Sequence, residues 1–328
     1  EHRDSGCGQY RRVDGAHDLR DGGAGTSRHA VRGRIEVAGE GGCVRQGVWH
    51  PARVRQLCGD AKRPLGGVGL YRHATQSSRG ADSPVRCGGE AGAVRKNRLR
   101  RTRSRRKTFC GKRKRRGVYV AEAIWTRYMP ARGMIADIIA SGEIGEPRFL
   151  SANLAYDVEH KERISQPELA GGALLDVGVY PLNFASMVFG NDIVRVESSV
   201  QKLGTGVDRT ENITYFYRDG KMAQLMASVA FNSDRRGIVY GTKGFLTVDN
   251  VNNPHEIALY DKNQRETPRE IRSVPAQITG YEYEVEACLR DIAAGQLEPA
   301  EMPHAETLEI MRQMDALRAA WQIRYPFE

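Results

Sequence analysis

The sequence predicts a mixed α/β fold whose folded part begins near residue 118 and carries a mainly antiparallel sheet. Three observations predict it. The composition changes abruptly near Val118, an apolar pattern with helical spacing occupies 171–190, and a series of short segments bounded by turn residues follows it. Turn-bounded segments of this kind are typical of antiparallel strands, and the helical patterns around them make the fold mixed.

Residues 1–117 have the composition of a chain that cannot build a core. They contain a single Ile, a single Phe and no Met, and they carry 29 Lys and Arg against 10 Asp and Glu, a net charge of +19. Residues 118–328 carry the remaining 21 against 30, a net charge of −9. Because so little apolar surface cannot offset chain entropy, we expect residues 1–117 to be disordered and to form no doubly wound sheet.

A displaced reading frame explains this composition. If the last two bases of each codon are read with the first base of the next, residues 3–12 permit GIVGAGNIA, 69–75 permit VYIATP, 88–97 permit AGKPVLCEK and 106–114 permit EKLFAE. The same shift gives all four pieces in order, at the spacing of strands and helices that alternate. The first piece is a buried strand that ends in a glycine-rich turn, which can hold a pyrophosphate. We therefore interpret 1–117 as a nominal dinucleotide-binding domain that is out of frame.

The alternative is a basic nucleic-acid-binding arm attached to a catalytically dead sugar-binding or dimerisation domain. The run KNRLRRTRSRRKTFCGKRKRR has the charge for phosphate contacts, but Phe109 is its single aromatic residue. Five of the six cysteines lie in residues 1–117 without paired CxxC spacing, so we predict no metal site. Neither a signal peptide nor an apolar run long enough for a bilayer is recognised, and we expect a cytoplasmic protein.

The elements after residue 117 follow from periodicity and turn signals. We predict a strand at 117–124, a loop to Pro130, a helix at 130–141, a strand at 147–156 and a polar loop at 160–166. After the central helix, six segments predict an antiparallel meander, namely 193–202, 211–218, 221–230, 237–240, 245–249 and 256–260. Two late helices are predicted at 281–294 and 304–321.

Two pairs of polar or aromatic residues are candidates for a site. Asp176 and Tyr180 lie four apart on an otherwise apolar helix, where a carboxylate beside a phenol is costly unless the pair is used. The alternative is a buried Tyr that is hydrogen-bonded to an Asp at the helix start. Trp125 and Arg127 follow a strand and can line a pocket for a hydroxylated substrate. Their alternative is a core Trp beside a surface Arg.

Four stretches, VYVAEAIWTRYMP, EIGEPR, GGALLDVGVYPLNFASMVFG and YGTKGFLTVDN, together resemble the Gfo/Idh/MocA oxidoreductases. The resemblance is to the branch that contains the dihydrodiol and NADP-dependent D-xylose dehydrogenases. It covers 117–328 directly and the first third only through the shifted frame. It implies an N-terminal Rossmann domain, disrupted in this sequence, and an α+β domain with an open, mainly antiparallel sheet.

The same resemblance implies site roles and a reaction. It places the catalytic acid/base on Tyr180 and substrate positioning on Asp176, and it matches Trp125 and Arg127 to substrate binding. The Lys that assists this Tyr in the family is supplied here only by the shifted frame, across residues 96 and 97. A Tyr titrates near 10 and needs a nearby cation to act as a base at neutral pH.

We therefore expect an NAD(P)-dependent oxidoreductase that transfers a hydride between a nicotinamide cofactor and a sugar or dihydrodiol hydroxyl carbon. NADP is favoured by resemblance alone, and the written sequence assigns no cofactor-binding residue. The chain as written lacks the glycine-rich turn and the Lys, so we expect it to be inactive. The partners we expect are a small-molecule substrate and a second copy of the chain, because an uncovered sheet face is an apolar patch.

Overall fold

The computed structural model describes residues 117–328, together with the backbone of three short strands before them. The chain divides into two units after Val48. The first unit holds a hairpin of β1 (Glu36–Ala38) and β2 (Val44–Gln46). In the second unit, β3 (Gly92–Val94) pairs in parallel with β4 (Val120–Glu122). The predictions for residues 1–116, including disorder, the out-of-frame dinucleotide-binding domain and the basic arm, otherwise lie outside the described residues.

The described part of the second unit is a mixed α/β structure. Its strands after β4 are β5 (Pro147–Ala155), β6 (Ile193–Lys202), β7 (Asp208–Tyr217), β8 (Met222–Ser228), β9 (Gly237–Gly241), β10 (Gly244–Val248), β11 (Glu256–Asp261) and β12 (Glu270–Ser273). Its helices are α1 (Pro130–Ala140), α2 (Glu162–Ser165), α3 (Val179–Phe189), α4 (Glu282–Ala293) and α5 (His304–Ala320).

The eight strands from β5 to β12 form one open sheet in the order β12-β11-β10-β9-β5-β8-β7-β6. Seven strand pairs join these eight strands, and all except β5–β8 are antiparallel. The expected mixed fold with an open, mainly antiparallel sheet is confirmed. The simple meander is wrong, because β5 inserts between β8 and β9. Turn signals identify neighbours along the chain, whereas the partners of β5 lie far from it in sequence.

One face of this sheet carries the core. Fully buried side chains project from successive strands toward α3 and α5, among them Leu150, Leu154, Ile213, Leu225, Val239, Leu246 and Leu259. Alternating burial along β5 and β7 shows the period of two that a sheet covered on one face requires. The helices therefore pack on one face of the sheet, and α3 lies close to β5 and β8.

The central segment is not a uniform α-helix. It begins with a π-helical turn, Leu174–Gly178, and continues as α3. Pro181 stands in the first turn of α3, where it lacks an N–H and its ring crowds the carbonyl of residue 177. A π-turn just before the proline accommodates this conflict with one extra residue. The argument that Asp176 and Tyr180 share a face assumed a period of 3.6, so it does not apply across this turn.

Three further differences from the sequence predictions are local. A 3₁₀ turn, Trp125–Arg127, lies in the predicted loop, and α2 lies in the predicted polar loop 160–166. Strand β12 was not predicted, because its pattern of four residues is too short to distinguish from a loop.

The segment Pro167–Phe189 is long and apolar enough to cross a membrane, but 78% of its apolar window is buried within the protein. A segment buried to this extent is typical of the core helix of a globular domain.

The opposite sheet face carries a continuous cross-strand row of large side chains. The row is Tyr260, Phe245, Tyr240, Phe149, Met222, Phe216 and Arg195, each paired in register with the next. The Phe245 and Tyr260 rings stack with centroids 4.4 Å apart. At the other end, the Arg195 guanidinium lies 3.5 Å from the centroid of the Phe216 ring. These side chains are half-buried by one another or exposed.

Candidate active site

The strand-to-helix connection after β4 presents Trp125 and Arg127. The Tyr128 hydroxyl donates to the Glu122 carbonyl at 2.8 Å, which ties the 3₁₀ turn back to β4. Pro130 starts α1 immediately afterwards, at the position where its missing N–H costs nothing. The turn is buried at all three residues, so the sequence here fixes two large side chains in a short rigid connection.

Trp125 and Tyr180 are in direct contact. The Trp125 indole Nε1 donates to the Tyr180 hydroxyl at 3.3 Å. The indole also stacks on Tyr281, with ring centroids 4.7 Å apart. Gly280, at φ +84°, lets the chain pass against the indole, because a Cβ there would come within 2.6 Å of Trp125 Cζ3. Tyr180 is half-buried, so its ring is fixed while its side chain keeps some access to solvent.

Asp176 is held by an arginine from α2, the short helix before the central segment. Arg163 Nη1 donates to Asp176 Oδ1 at 2.7 Å, and the two side chains are 34% and 11% exposed. Arg163 lies on α2, which the sequence reading placed in a loop. The ion pair orients the Asp176 carboxyl group at the π-turn. This carboxylate therefore has a defined direction at the turn from which α3 continues to Tyr180.

Arg127 points into the protein. Its Nε donates to Asn183 Oδ1 at 2.8 Å, and its Nη2 donates to Ser186 Oγ at 3.1 Å and to Glu306 Oε1 at 2.6 Å. The guanidinium is 6% exposed. It joins the 3₁₀ turn to α3 and α5, so the sequence alternative of a surface Arg does not hold. Direct substrate binding by Arg127 stays a prediction.

Arg127 and Glu306 form an ion pair in which each charge stabilises the other. Burial lowers the pKa of Arg127, and the charge of Glu306 opposes that shift. Burial would raise the pKa of Glu306, but the Ser186 hydroxyl and the Arg127 charge outweigh it and hold this pKa below its usual value. Asn191 Nδ2 adds a third donor to Glu306 at 2.9 Å. Both groups are therefore ionised at neutral pH and bonded to each other.

The structure brings Trp125 and Tyr180 together and gives Asp176 and Arg127 separate partners. Sequence reasoning missed Arg163, Tyr281 and Glu306, which hold three of these four side chains. The sequence feature that could have identified Tyr281 is Gly280, which stands directly before this tyrosine at the start of the predicted helix 281–294. Arg163 and Glu306 carried no local signal, since their partners lie 13 and 179 residues away.

The turn after β4 lacks a glycine-rich phosphate site, and the described residues contain no cluster of metal ligands. After β4 comes the Trp125–Arg127 turn, in which no glycine stands, so the glycine-rich approach that a pyrophosphate needs is absent there. No group of three or more His, Cys, Asp or Glu among the described residues could hold a metal ion. No step through a bound cofactor therefore follows from the described part of the chain.

Known proteins with a similar sequence are dehydrogenases. Trans-1,2-dihydrobenzene-1,2-diol dehydrogenase of Mus musculus is 30% identical over 216 residues, which are 64% of each chain. The Bos taurus protein of the same name is 36% identical over 130 residues, 39% of each chain. The present chain thus spans less than two thirds of the length of these relatives.

Solved structures share the fold. The aldose-aldose oxidoreductase from Caulobacter crescentus, complexed with glycerol, superposes with a TM-score of 0.63 at 19% identity, over 71% of this chain and 70% of that one. KijD10, a 3-ketoreductase from Actinomadura kijaniata in complex with NADP and TDP-benzene, gives a TM-score of 0.62 at 22% identity, over 70% of each chain. Residues 134–247, which include Asp176, Tyr180 and the sheet from β5 to β10, match the model of the GFO/IDH/MocA C-terminal domain. Over these residues the chain is similar to the GFO/IDH/MocA family.

Proposed function

We propose that the encoded protein is an NAD(P)-dependent oxidoreductase that transfers a hydride between a nicotinamide cofactor and a hydroxyl carbon of a sugar or dihydrodiol. The observation that carries the proposal is the Trp125–Tyr180 hydrogen bond of 3.3 Å, which fixes a half-buried phenol in the family domain. The names of the relatives support the substrate class, and NADP in KijD10 supports the cofactor. The chain as written is the substrate half of such an enzyme, with residues 1–117 out of frame.

The reaction needs a proton acceptor at the hydroxyl that is oxidised. Hydride leaves a carbinol carbon only if the hydroxyl proton leaves too, so a base must lie within hydrogen-bond reach. We assign this role to Tyr180, whose oxygen already accepts from Trp125 Nε1. Asp176, oriented by Arg163, positions a neighbouring substrate hydroxyl. Arg127 acts on the substrate through the placement of Trp125.

The displaced frame can be tested by sequencing and by activity. We expect one missing or extra base in the codons for residues 110–118. A protein made from the repaired gene should oxidise D-xylose or a trans-dihydrodiol with NADP or NAD, whereas the chain as written should not. A repaired, folded protein without activity on either substrate would contradict the proposed function. An unbroken gene together with salt-dependent DNA binding by residues 1–117 would favour the nucleic-acid alternative.

The row on the uncovered sheet face supports self-association. It crosses seven strands, and six strand spacings amount to roughly 29 Å. A standard interface of about 800 Å² on each partner is a disc roughly 32 Å across. We propose that a second copy of the chain covers this face through its own row.

A cytoplasmic location and the boundary between two domains near residue 117 also stay predictions.

A further inference from the structure

Two carboxyl groups lie completely buried beneath the π-turn and take no part in the proposed chemistry. Asp208 and Glu211 are 0% and 1% exposed. They stand three residues apart on β7, a spacing that would put them on opposite faces of a regular strand. The pairing with β6 shifts register here, since Gln201 faces Thr210 and Lys202 faces Asp208. The extra residue is a bulge that turns Asp208 to the same side as Glu211.

The pair lies against the central segment at two glycines. A Cβ on Gly172 would come within 2.2 Å of Asp208 Oδ1, and φ is +106° there. A Cβ on Gly178 would come within 2.2 Å of Glu211 Oε1. The other Asp208 oxygen, Oδ2, accepts from the backbone N–H of Leu174 at 2.5 Å. One carboxyl therefore caps the first residue of the π-turn, and the other supports its last residue.

Three oxygens of this pair have no donor among the described residues: Asp208 Oδ1 and both carboxyl oxygens of Glu211. Two buried carboxylates in contact would repel each other, whereas one shared proton supplies a donor and removes one charge. Burial raises the pKa of both groups, and the neighbouring Asp208 raises that of Glu211 further. The proton therefore lies on Glu211, and Asp208 keeps the charge that the Leu174 N–H stabilises.

The surroundings contain little that could replace this proton. The strand partners of Glu211 are Val200 on β6 and Ala227 on β8, both apolar. The positive charge of Arg318 on α5 lowers the pKa of Asp208, and its guanidinium is bonded to Asp315 and Glu328. Glu211 contributes to the raised pKa of Tyr215 on its own strand. On the π-turn itself, Asp176 is paired with Arg163.

We propose that Asp208 and Glu211 share one proton and thereby fix the π-turn that carries Asp176, which makes both of them positioning residues. The positioning part rests on the proposed function, because Asp176 matters only if it meets a substrate. The shared proton and the fixed turn do not depend on activity. Loss of the proton would leave two negative charges in the core and would release the turn.

Infrared spectroscopy of the full chain at neutral pH tests the proton directly. The wild type should show the C=O stretch of a neutral, buried carboxylic acid. Glu211→Gln should lower the intensity of this band by the amount that one carboxylic acid group contributes. The control is Glu306→Gln, which removes a partly buried carboxylate paired with a guanidinium and should leave the band unchanged. A Glu211→Gln spectrum with the full acid band would overturn the assignment.

Denaturant unfolding across pH tests the stabilisation. Because the pKa of Glu211 is raised in the folded state, the folded chain holds a proton that the unfolded chain loses above the ordinary value of 4.5. The stabilisation is complete below that value and falls as pH rises toward the folded pKa, with the unfolding constant rising about tenfold per pH unit. Glu211→Gln should flatten this dependence. An unchanged pH profile in the variant would contradict the proposal.

A second pair of variants separates the contribution of the shared proton to stability from the contribution of side-chain packing. Glu211→Gln offers an amide N–H to Asp208 Oδ1 in place of the shared proton, so its stability at neutral pH should match or exceed that of the wild type. Glu211→Met has a similar volume but no donor, and its unfolding constant should be about 10- to 100-fold higher than that of Glu211→Gln. Equal stability of the Gln and Met variants would show that Glu211 only fills space.

Discussion

Tyr180 illustrates how a single hydroxyl is prepared by its neighbours. Its ring lies at the start of α3, and its oxygen accepts from the Trp125 indole, which is itself fixed between Gly280 and Tyr281. The indole N–H therefore fixes the position of the phenol oxygen. This arrangement suits a group that must exchange a proton with a substrate hydroxyl.

The substitution Tyr180→Phe in the frame-repaired protein should lower kcat by about 10²–10⁴, the usual size of general acid–base assistance. Stability should fall by about 1–3 kcal/mol, because Trp125 Nε1 loses its acceptor. Steady-state oxidation of D-xylose or a trans-dihydrodiol is the measurement. The matched control is Tyr283→Phe, which should keep kcat, since its hydroxyl bonds to the Ala276 carbonyl. A wild-type kcat in Tyr180→Phe would identify Tyr180 as a core residue.

Asp176→Asn tests a different role at the same site. It weakens the ion pair with Arg163 and removes the charge that we propose orients the substrate. We expect KM to rise and kcat to fall together, since positioning serves both binding and reaction. Arg163→Gln should change the same parameters in the same direction, and the double variant should lose less than the sum. Strict additivity in the kinetic constants would show that the pair does not act as a unit.

At the scale of elements, the Arg127–Glu306 ion pair joins the 3₁₀ turn to α3 and α5. The N-terminal end of α5 is also close to β4, where His304 Nε2 lies 2.8 Å from the Val120 carbonyl oxygen. These contacts connect residues more than 170 apart in sequence. They fix the turn that carries Trp125 relative to the helix that carries Tyr180.

Arg127→Met should therefore destabilise the protein strongly. Removal of one partner leaves Glu306 as a partly buried, uncompensated charge, which costs up to about 3–5 kcal/mol. The matched control is Arg148→Met, because Arg148 pairs with Glu146 at the surface, where both side chains are about 60% exposed. That change should stay within about 0.5 kcal/mol. Denaturant unfolding measures both, and equal small losses would mean that the buried pair is not holding these elements together.

At the scale of the whole molecule, the sheet divides the described part into two different surfaces. One face is the core under α3 and α5, and the other carries the row from Tyr260 to Arg195. A face of this kind is larger and more apolar than scattered surface residues, which is typical of an association surface. The edge strand β6 presents the exposed side chains of Val194 and Val196 as well.

Phe245→Glu should disrupt self-association through this face. Phe245 lies between Tyr260 and Tyr240, with ring centroids at 4.4 Å and 5.5 Å. A charge buried within an interface should raise the dimer dissociation constant by about 30-fold or more. Sedimentation of the full chain is the measurement, with Gln201→Glu on the edge strand as a control outside the row. A wild-type chain that sediments as a monomer at all concentrations would contradict self-association.

Several elements were predictable because their signals are local. The bounds of β6 agree with the sequence prediction to the residue, since a ten-residue segment lay between clear turns. The start of α1 at Pro130 followed from the preference of proline for the first turn of a helix. The hairpin of β7 and β8 followed from the Asp219-Gly220 turn between them. The motifs around Asp176 and Tyr180 indicated the resemblance to the family, and residues 134–247 match its C-terminal domain. Their catalytic roles remain predictions.

Sequence alone determined the fold class, the resemblance to the family and the composition break near residue 118, because periodicity, motifs and charge are local properties of the chain. Only the tertiary structure decided the place of β5 inside the sheet, the π-turn and the partners of Trp125, Asp176 and Arg127. It also brought Asp208 and Glu211 together through a bulge. These features depend on contacts between distant segments, and the free energy of such contacts comes from burial and pairing that no local pattern contains.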